Sequence, residues 1–252
     1  MAFCTLHHFS TALNKMTGMN IILPEQITGR VPVYYLLHGL SDDYTAWHRR
    51  SAIERHAQDL PLIVVMPDAG RSWYCDSVDG PRYESYIIHD LIGFIDRTFP
   101  TRAERSGRVI GGLSMGGYGA LKLALKFPAL FLAANGHSGA YDVAASDAPP
   151  QETPEWRHIF GAHPAGGHDD VYALADRLDP TTAPALRIDC GVDDFLIDSN
   201  RRFHTHLAAR GIAHEYAEFP GVHNWQYWDE HVQQALAFHA RHLGIATINY
   251  ER

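Results

Sequence analysis

Ser114 stands in the stretch Gly112-Leu113-Ser114-Met115-Gly116, a G-x-S-x-G pattern followed by a further Gly117. A serine hydroxyl is a poor nucleophile at neutral pH, so it attacks a carbonyl only when a histidine takes its proton and an acid orients that histidine. The pattern by itself is short enough to arise as a glycine-rich turn, and its surroundings decide between the two readings. Before it come the β-formers Val109 and Ile110, and after it the helical run Ala120-Leu121-Lys122-Leu123-Ala124-Leu125-Lys126-Phe127, closed by Pro128. Strand, tight turn with a serine at its tip, then helix is the context of a nucleophile elbow. The flanking glycines fit a strained turn in which side chains would strike neighbouring backbone.

An elbow of this kind is followed along the chain first by the acid and then by the base. Both places carry candidates. Gly191-Val192-Asp193-Asp194 follows an expected strand at 185–190, and Gly221-Val222-His223-Asn224-Trp225 follows another at 214–219. Acyl transfer also needs donors for the developing oxyanion. The amide after the nucleophile belongs to Met115, and the amide from the loop after the third strand belongs to Leu40 in His38-Gly39-Leu40. These are backbone groups, so the side chains of Leu40 and Met115 say little about the chemistry. Alone, His38-Gly39 reads equally well as a strand-end turn.

Taken together, HGL at 38–40, GLSMGG at 112–117, CGVDDFL at 190–196 and GVHNWQYW at 221–228 resemble the α/β-hydrolases of the esterase D / tributyrin esterase group. That group also takes in feruloyl and acetylxylan esterases, S-formylglutathione hydrolases and related mycolyltransferases. The likeness runs from the N-terminal strand pair to the last helix. It implies Ser114 as nucleophile, His223 as general base and Asp194 as the orienting acid, because the group's G-x-x-D places the acid three residues after Gly191. Asp193 is the nearest rival, and Asp198 reads as a helix cap. The resemblance further implies hydrolysis of small, short-acyl esters without cofactor or metal. A feruloyl or cinnamoyl esterase, or an acyltransferase using the same acyl-enzyme, is the alternative. The chain is shorter than expected for the S-formylglutathione hydrolase branch. A non-catalytic binding protein on this scaffold is disfavoured, since no triad position is lost. Trp225, Phe195, Trp156 and Tyr74 are the candidate walls of the substrate site, with Trp228 read as core.

The elements that must carry these residues alternate between strand and helix. Two short strands at 3–10 and 17–23 alternate apolar and polar residues around a turn, as an antiparallel pair would. Val31–Leu37, Leu62–Met66, Arg108–Gly111, Leu130–Asn135, Ala185–Gly191 and His214–Phe219 read as strands, several of them apolar enough to be buried on both faces. Helices are expected at 51–60 with Ser51 as cap, at 83–99, after the elbow, at 199–209 closed by Gly211, and at 227–243. The fold class is α/β: an α/β-hydrolase fold with a mostly parallel central sheet, an N-terminal antiparallel strand pair, and helices on both faces. Residues 1–252 read as a single domain. A lid-like excursion at about 141–182 is rich in Ala, Asp, Gly, His and Pro, including Pro149 and Pro150.

Composition narrows the partners. A formal charge of −8 argues against nucleic acid and anionic membrane surfaces. Three cysteines with no paired spacing, no basic-apolar leader and no long apolar run read as a cytoplasmic protein. Seventeen histidines raise the question of a metal, yet close pairs such as His239 and His242 lack the convergent ligands that a site needs. A small-molecule ester is the expected partner, and a homo-oligomer is left open.

Overall fold

The computed structural model describes residues 1–146 and 153–246, so Pro149 and Pro150 of the excursion lie outside the described residues. The alternation of apolar residues along the strands sets the layers. In β3 (Val33–Leu37), Tyr34 and Leu36 enter one buried cluster while Val33, Tyr35 and Leu37 enter another on the opposite face. The same split holds in β4 (Ile63–Pro67), where Val64 and Met66 face one way and Ile63 and Val65 the other. A strand buried on both faces needs a helical layer on each side.

Among the described residues the sheet has eight strands in the order β1-β2-β4-β3-β5-β6-β7-β8. β1 (Ala2–Ser10) and β2 (Lys15–Leu23) form the antiparallel N-terminal pair, and β2 also runs antiparallel to β4. From β4 onward every pairing is parallel, through β3, β5 (Arg108–Leu113), β6 (Ala133–His137), β7 (Ala185–Gly191) and β8 (His214–Phe219). One face is covered by α1 (Ala46–Arg50), α2 (Ile53–Ala57) and α9 (Trp225–Leu243). The other carries α3 (Tyr83–Ser85), a π-helical stretch at Tyr86–Leu91, α4 (Ile92–Thr98), α5 (Met115–Lys126), α6 (Pro154–Phe160), α7 (Val171–Arg177) and α8 (Ile197–Ala209). None of these helices is long and apolar enough to cross a membrane.

Boundaries differ from the sequence expectation where a backbone group found another partner. β3 starts two residues late because Pro32 has no amide to give, and Val31 is bridged to Thr101 instead. The helix expected at 51–60 is only Ile53–Ala57. Ser51 does not cap it in the usual manner, because its hydroxyl donates back to the Trp47 carbonyl and closes α1. Asp198 is not a cap either. It lies in the first turn of α8, while Asp194 accepts the Leu196 amide ahead of that helix.

Two buried polar groups tie the layers together. Lys122 on α5 is fully buried and donates to the Tyr74 carbonyl, Glu84 and Asp169. Burial alone would strip its proton, but the surrounding carboxylates hold the ammonium charged. It thereby anchors the 73–75 loop and the start of α7 to the elbow helix. On the opposite face Asn135 accepts from Tyr34 at 2.8 Å and from His239 at 2.8 Å. His137, which pairs with Asn135 at 3.1 Å, meets both oxygens of Asp189 at 2.9 Å. The Tyr227 hydroxyl donates to Asp189 at 3.1 Å. Burial drives the His239 pKa far down, so its ring is neutral, and α9 is held to the sheet by two neutral donors, Tyr227 near its start and His239 near its end.

Backbone packs against backbone closely at the start of α5. A Cβ on Gly112 would fall 2.7 Å from the Leu37 carbonyl, and one on Gly116 would fall 2.5 Å from that oxygen and 2.6 Å from the His38 carbonyl. Gly116→Ala is therefore expected to lose about 1–3 kcal/mol of stability, read as a lower Tm, together with activity, since either β3 or α5 must move. An unchanged Tm would show that the close approach can relax.

Candidate active site

Ser114 ends β5 and precedes α5 at φ 53°, ψ −116°, a conformation that an L-residue holds only under constraint. Its amide donates to the His137 carbonyl at 2.9 Å, and its carbonyl takes the first helical bond from Tyr118 at 3.0 Å. The strain is thus held by the neighbouring strand and by the helix, and the Oγ is left facing outward at the C-terminal edge of the sheet.

His223 and Asp194 reach this edge from two loops laced together. The Val192 amide donates to Phe219 and the Asp193 amide to Gly221, which binds the turn after β7 to the turn after β8. His223 Nε2 lies 3.0 Å from Ser114 Oγ. Its Nδ1 lies 3.0 and 2.9 Å from the two oxygens of Asp194. That geometry puts the imidazole proton on Nδ1 and leaves Nε2 free to accept from the serine. Asp194 is 2% exposed, whereas Asp193 points to solvent. Burial on its own would raise the Asp194 pKa, but the hydrogen bonds from His223 and the Leu196 amide outweigh it and hold the carboxyl below its usual range.

The arrangement around Leu40 explains what His38 does. The Ala69 amide donates to His38 Nε2 at 2.9 Å, so the ring proton sits on Nδ1, which donates to the Gly39 carbonyl at 2.8 Å. Burial lowers the His38 pKa and keeps the ring neutral. The Asp42 amide donates to the same Gly39 oxygen at 3.1 Å. In a trans peptide a carbonyl pinned on one side sends the following N–H to the other. The Leu40 amide is thereby turned toward the cleft that Leu40 and Ser114 line together. Met115 N–H, at the first position of α5, has no carbonyl four residues back to bond. Two amides beside one nucleophile, with the positive end of α5 behind them, can stabilise an anionic oxygen.

The cleft over Ser114 holds about 390 Å³. His223, Phe195, Trp225 and Trp228 form its aromatic side. Phe195 is 73% exposed with its ring 4.5 Å from that of His223, and Trp228 packs edge-on to the same imidazole at 4.9 Å. Trp228, read as core from the sequence, is buried and also reaches the cleft, where its indole N–H donates to the Ser138 hydroxyl at 3.3 Å.

Two of the expected walls lie elsewhere. Tyr74 is fully buried, and its hydroxyl donates to the His38 carbonyl at 2.9 Å, so it supports the 38–40 loop from behind. Trp156 is buried on α6, donating to the Val143 carbonyl at 2.8 Å and packing on Phe160. Both rings are consumed by packing, and no described residue of the 141–182 excursion lines the cleft. Sequence reading missed Trp47, whose indole donates to the Leu37 carbonyl at 3.0 Å and whose ring backs Trp225 at 5.1 Å. It lies on α1, a single short turn of helix without a periodic signal. Among the described residues no group of three His, Cys, Asp or Glu is placed to hold a metal ion. Cys75 is buried with its thiol pushed up to about 12, and is thus no rival nucleophile.

A protein-family model described as "Putative esterase" matches residues 10–239. The chain is similar to the acetyl esterase of Caldicellulosiruptor saccharolyticus, 28% identical over 258 residues that cover 94% of this chain and 97% of the relative. Among solved structures it resembles fluorophosphonate-binding serine hydrolase F of Staphylococcus aureus, with a TM-score of 0.87 and 28% identity over 94% of this chain and 98% of that one. It also resembles the S-formylglutathione hydrolase FrmB of Staphylococcus aureus, with a TM-score of 0.84 and 29% identity over 94% and 98% of the two chains. Length therefore does not set this chain apart from S-formylglutathione hydrolases, contrary to the sequence expectation.

The depressed Asp194 pKa makes a stability prediction. The stabilisation it brings is complete above the usual carboxylate value of 3.8 and is lost as pH falls through the lower folded value. Asp194→Asn is expected to be less stable than wild type at pH 7, with the gap closing below about pH 4. Denaturant melts at pH 7, 5 and 3 read this, and a gap as wide at pH 3 as at pH 7 contradicts it.

Proposed function

This chain belongs to the esterase family and is a carboxylic-ester hydrolase, and on that premise we propose that it cleaves small, short-acyl esters through Ser114, His223 and Asp194. The observation that carries the reading is the 3.0 Å contact between His223 Nε2 and Ser114 Oγ, with Asp194 2.9 Å from the other ring nitrogen. In this mechanism His223 takes the serine proton as Oγ attacks the ester carbonyl. The oxyanion rests on the Leu40 and Met115 amides. His223 then gives the proton to the departing alcohol, and a water deprotonated by the same ring releases the acid. Asp194 stays ionised throughout, holding the Nδ1–H tautomer and the imidazolium that forms.

A cleft of about 390 Å³ lies toward the small end of ligand sites, which supports compact substrates. The His223 side chain is 17% exposed, so water can reach the acyl-enzyme, and this favours hydrolysis over transfer to an alcohol. The aromatic side formed by Phe195 and Trp225 supports a cinnamoyl ester as second reading. In either case the chain is read as one domain over 1–252, with the described residues of the 141–182 excursion bracing α5 and lining no part of the cleft.

A fluorophosphonate probe is expected to label the folded wild type and not Ser114→Ala. Asp194→Asn should lower kcat by about 10³–10⁴-fold while the exposed Asp193→Asn stays within about threefold of wild type. Equal losses in the two would move the acid role off Asp194. On p-nitrophenyl esters of increasing chain length, kcat/KM is expected to peak at acetate to butyrate and to exceed that on methyl ferulate. A maximum at long chains would sink the short-acyl reading.

A further inference from the structure

Arg50 ends α1 and lines the cleft with Ser114, Leu40 and Trp225. Its guanidinium carbon lies 5.6 Å from the centroid of the Trp225 ring. That ring is held edge-on by Trp47 at 5.1 Å and by Trp228 at 5.5 Å, so the platform under the guanidinium is rigid. Arg49, its neighbour, is engaged with Thr45 and Asp43. Arg50 has no ion pair and no hydrogen bond among the described residues, nor does it reach the last carbonyls of its own short helix. A guanidinium that sits over an indole and makes no hydrogen bond of its own keeps its N–H donors available, and their fork fits a carboxylate with two parallel bonds.

The other charge on the cleft is Asp42. Its Oδ2 stands 3.1 Å from where a Gly39 Cβ would be, which puts it on the oxyanion-loop side. The cleft is thus polarised, with a carboxylate near the reacting carbonyl and an unengaged guanidinium on the tryptophan wall. An anionic group is repelled at the first and attracted at the second.

We infer that Arg50, over the face of Trp225, is an anion subsite of the esterase cleft, and that preferred substrates are esters carrying a carboxylate or comparable anion away from the scissile bond. The inference rests on the ester-hydrolase reading of the same cleft and adds its charge preference. The anion can be carried on the acyl or on the alcohol side, and the test separates the two.

Wild type and Arg50→Gln are compared on two matched pairs. Mono-p-nitrophenyl glutarate against p-nitrophenyl pentanoate tests an acyl-borne carboxylate. 4-Acetoxybenzoate against 4-methylphenyl acetate tests one on the leaving group. Within each pair the ratio of kcat/KM, anionic over neutral, is taken for each protein, so that intrinsic ester reactivity cancels between them. In one pair the ratio is expected to fall about tenfold in Arg50→Gln. The wild-type ratio for that pair should also fall as sodium chloride is raised, and the variant's should not. Arg50 is exposed, so the variant is expected to fold, which its Tm checks. Turnover with both ratios within about twofold of wild type, and with no salt dependence, overturns the subsite alone. Turnover of none of the four esters overturns the ester-hydrolase reading and the subsite with it.

Discussion

The contact between the end of β3 and the start of α5 is the constraint on which the rest of this molecule depends. The Leu37 carbonyl lies so close to Gly112 and Gly116 that neither tolerates a Cβ. That approach forces the chain to turn sharply at Ser114, where φ is 53°. A strained serine of this kind costs on the order of 1–3 kcal/mol. The strain persists because the His137 carbonyl fixes its amide and α5 fixes its carbonyl. The same contact sets the Met115 amide beside the loop that presents Leu40. One backbone approach therefore places Ser114 and the Leu40 and Met115 amides around it.

What the contact does not place is the histidine. His223 lies 109 positions further along the chain than Ser114, on a loop whose direction is set by α9. That helix is positioned from beneath by the hydrogen bonds of Tyr227 and His239 to the strand residues Asp189 and Asn135, and at its start by the Asn224 cap on the Tyr227 amide. Neutral buried donors suit this task, because an unpaired charge there would carry a large desolvation penalty. On the opposite face the charged Lys122 does comparable work, and it does so with two carboxylates around it. The sheet is thus braced on both sides of the catalytic edge, while the edge itself stays open to substrate and water.

Much of the fold was legible because burial on two faces leaves a readable mark. A run such as Val64-Val65-Met66 suits a strand covered on both sides, and the elbow glycines suit a tight turn once strand and helix flank them. Boundaries were less legible. Pro32, Ser51 and Asp198 all act through partners distant in the fold or in a neighbouring turn, and local propensity does not contain those partners. Aromatic residues were the hardest to assign. Tyr74 and Trp156 look as suited to a binding wall as Trp225 and Phe195, yet two are packed away and two face the cleft.

The sequence by itself determined the chemistry on offer: an elbow serine, a histidine after the last strand and an acid after the one before it, on an alternating strand-helix scaffold. Those features are set by local residue identity and by order along the chain, which spacing and periodicity express directly. Only the tertiary structure shows which of Asp193 and Asp194 meets His223, because adjacent residues differ there in the direction of one side chain, one out to solvent and one into the imidazole. It also decided the tautomer of His38, the outward turn of the Leu40 amide, and the meeting of Arg50 with Trp225. Each of these depends on which groups converge in space from separate loops, and that convergence is a property of packing.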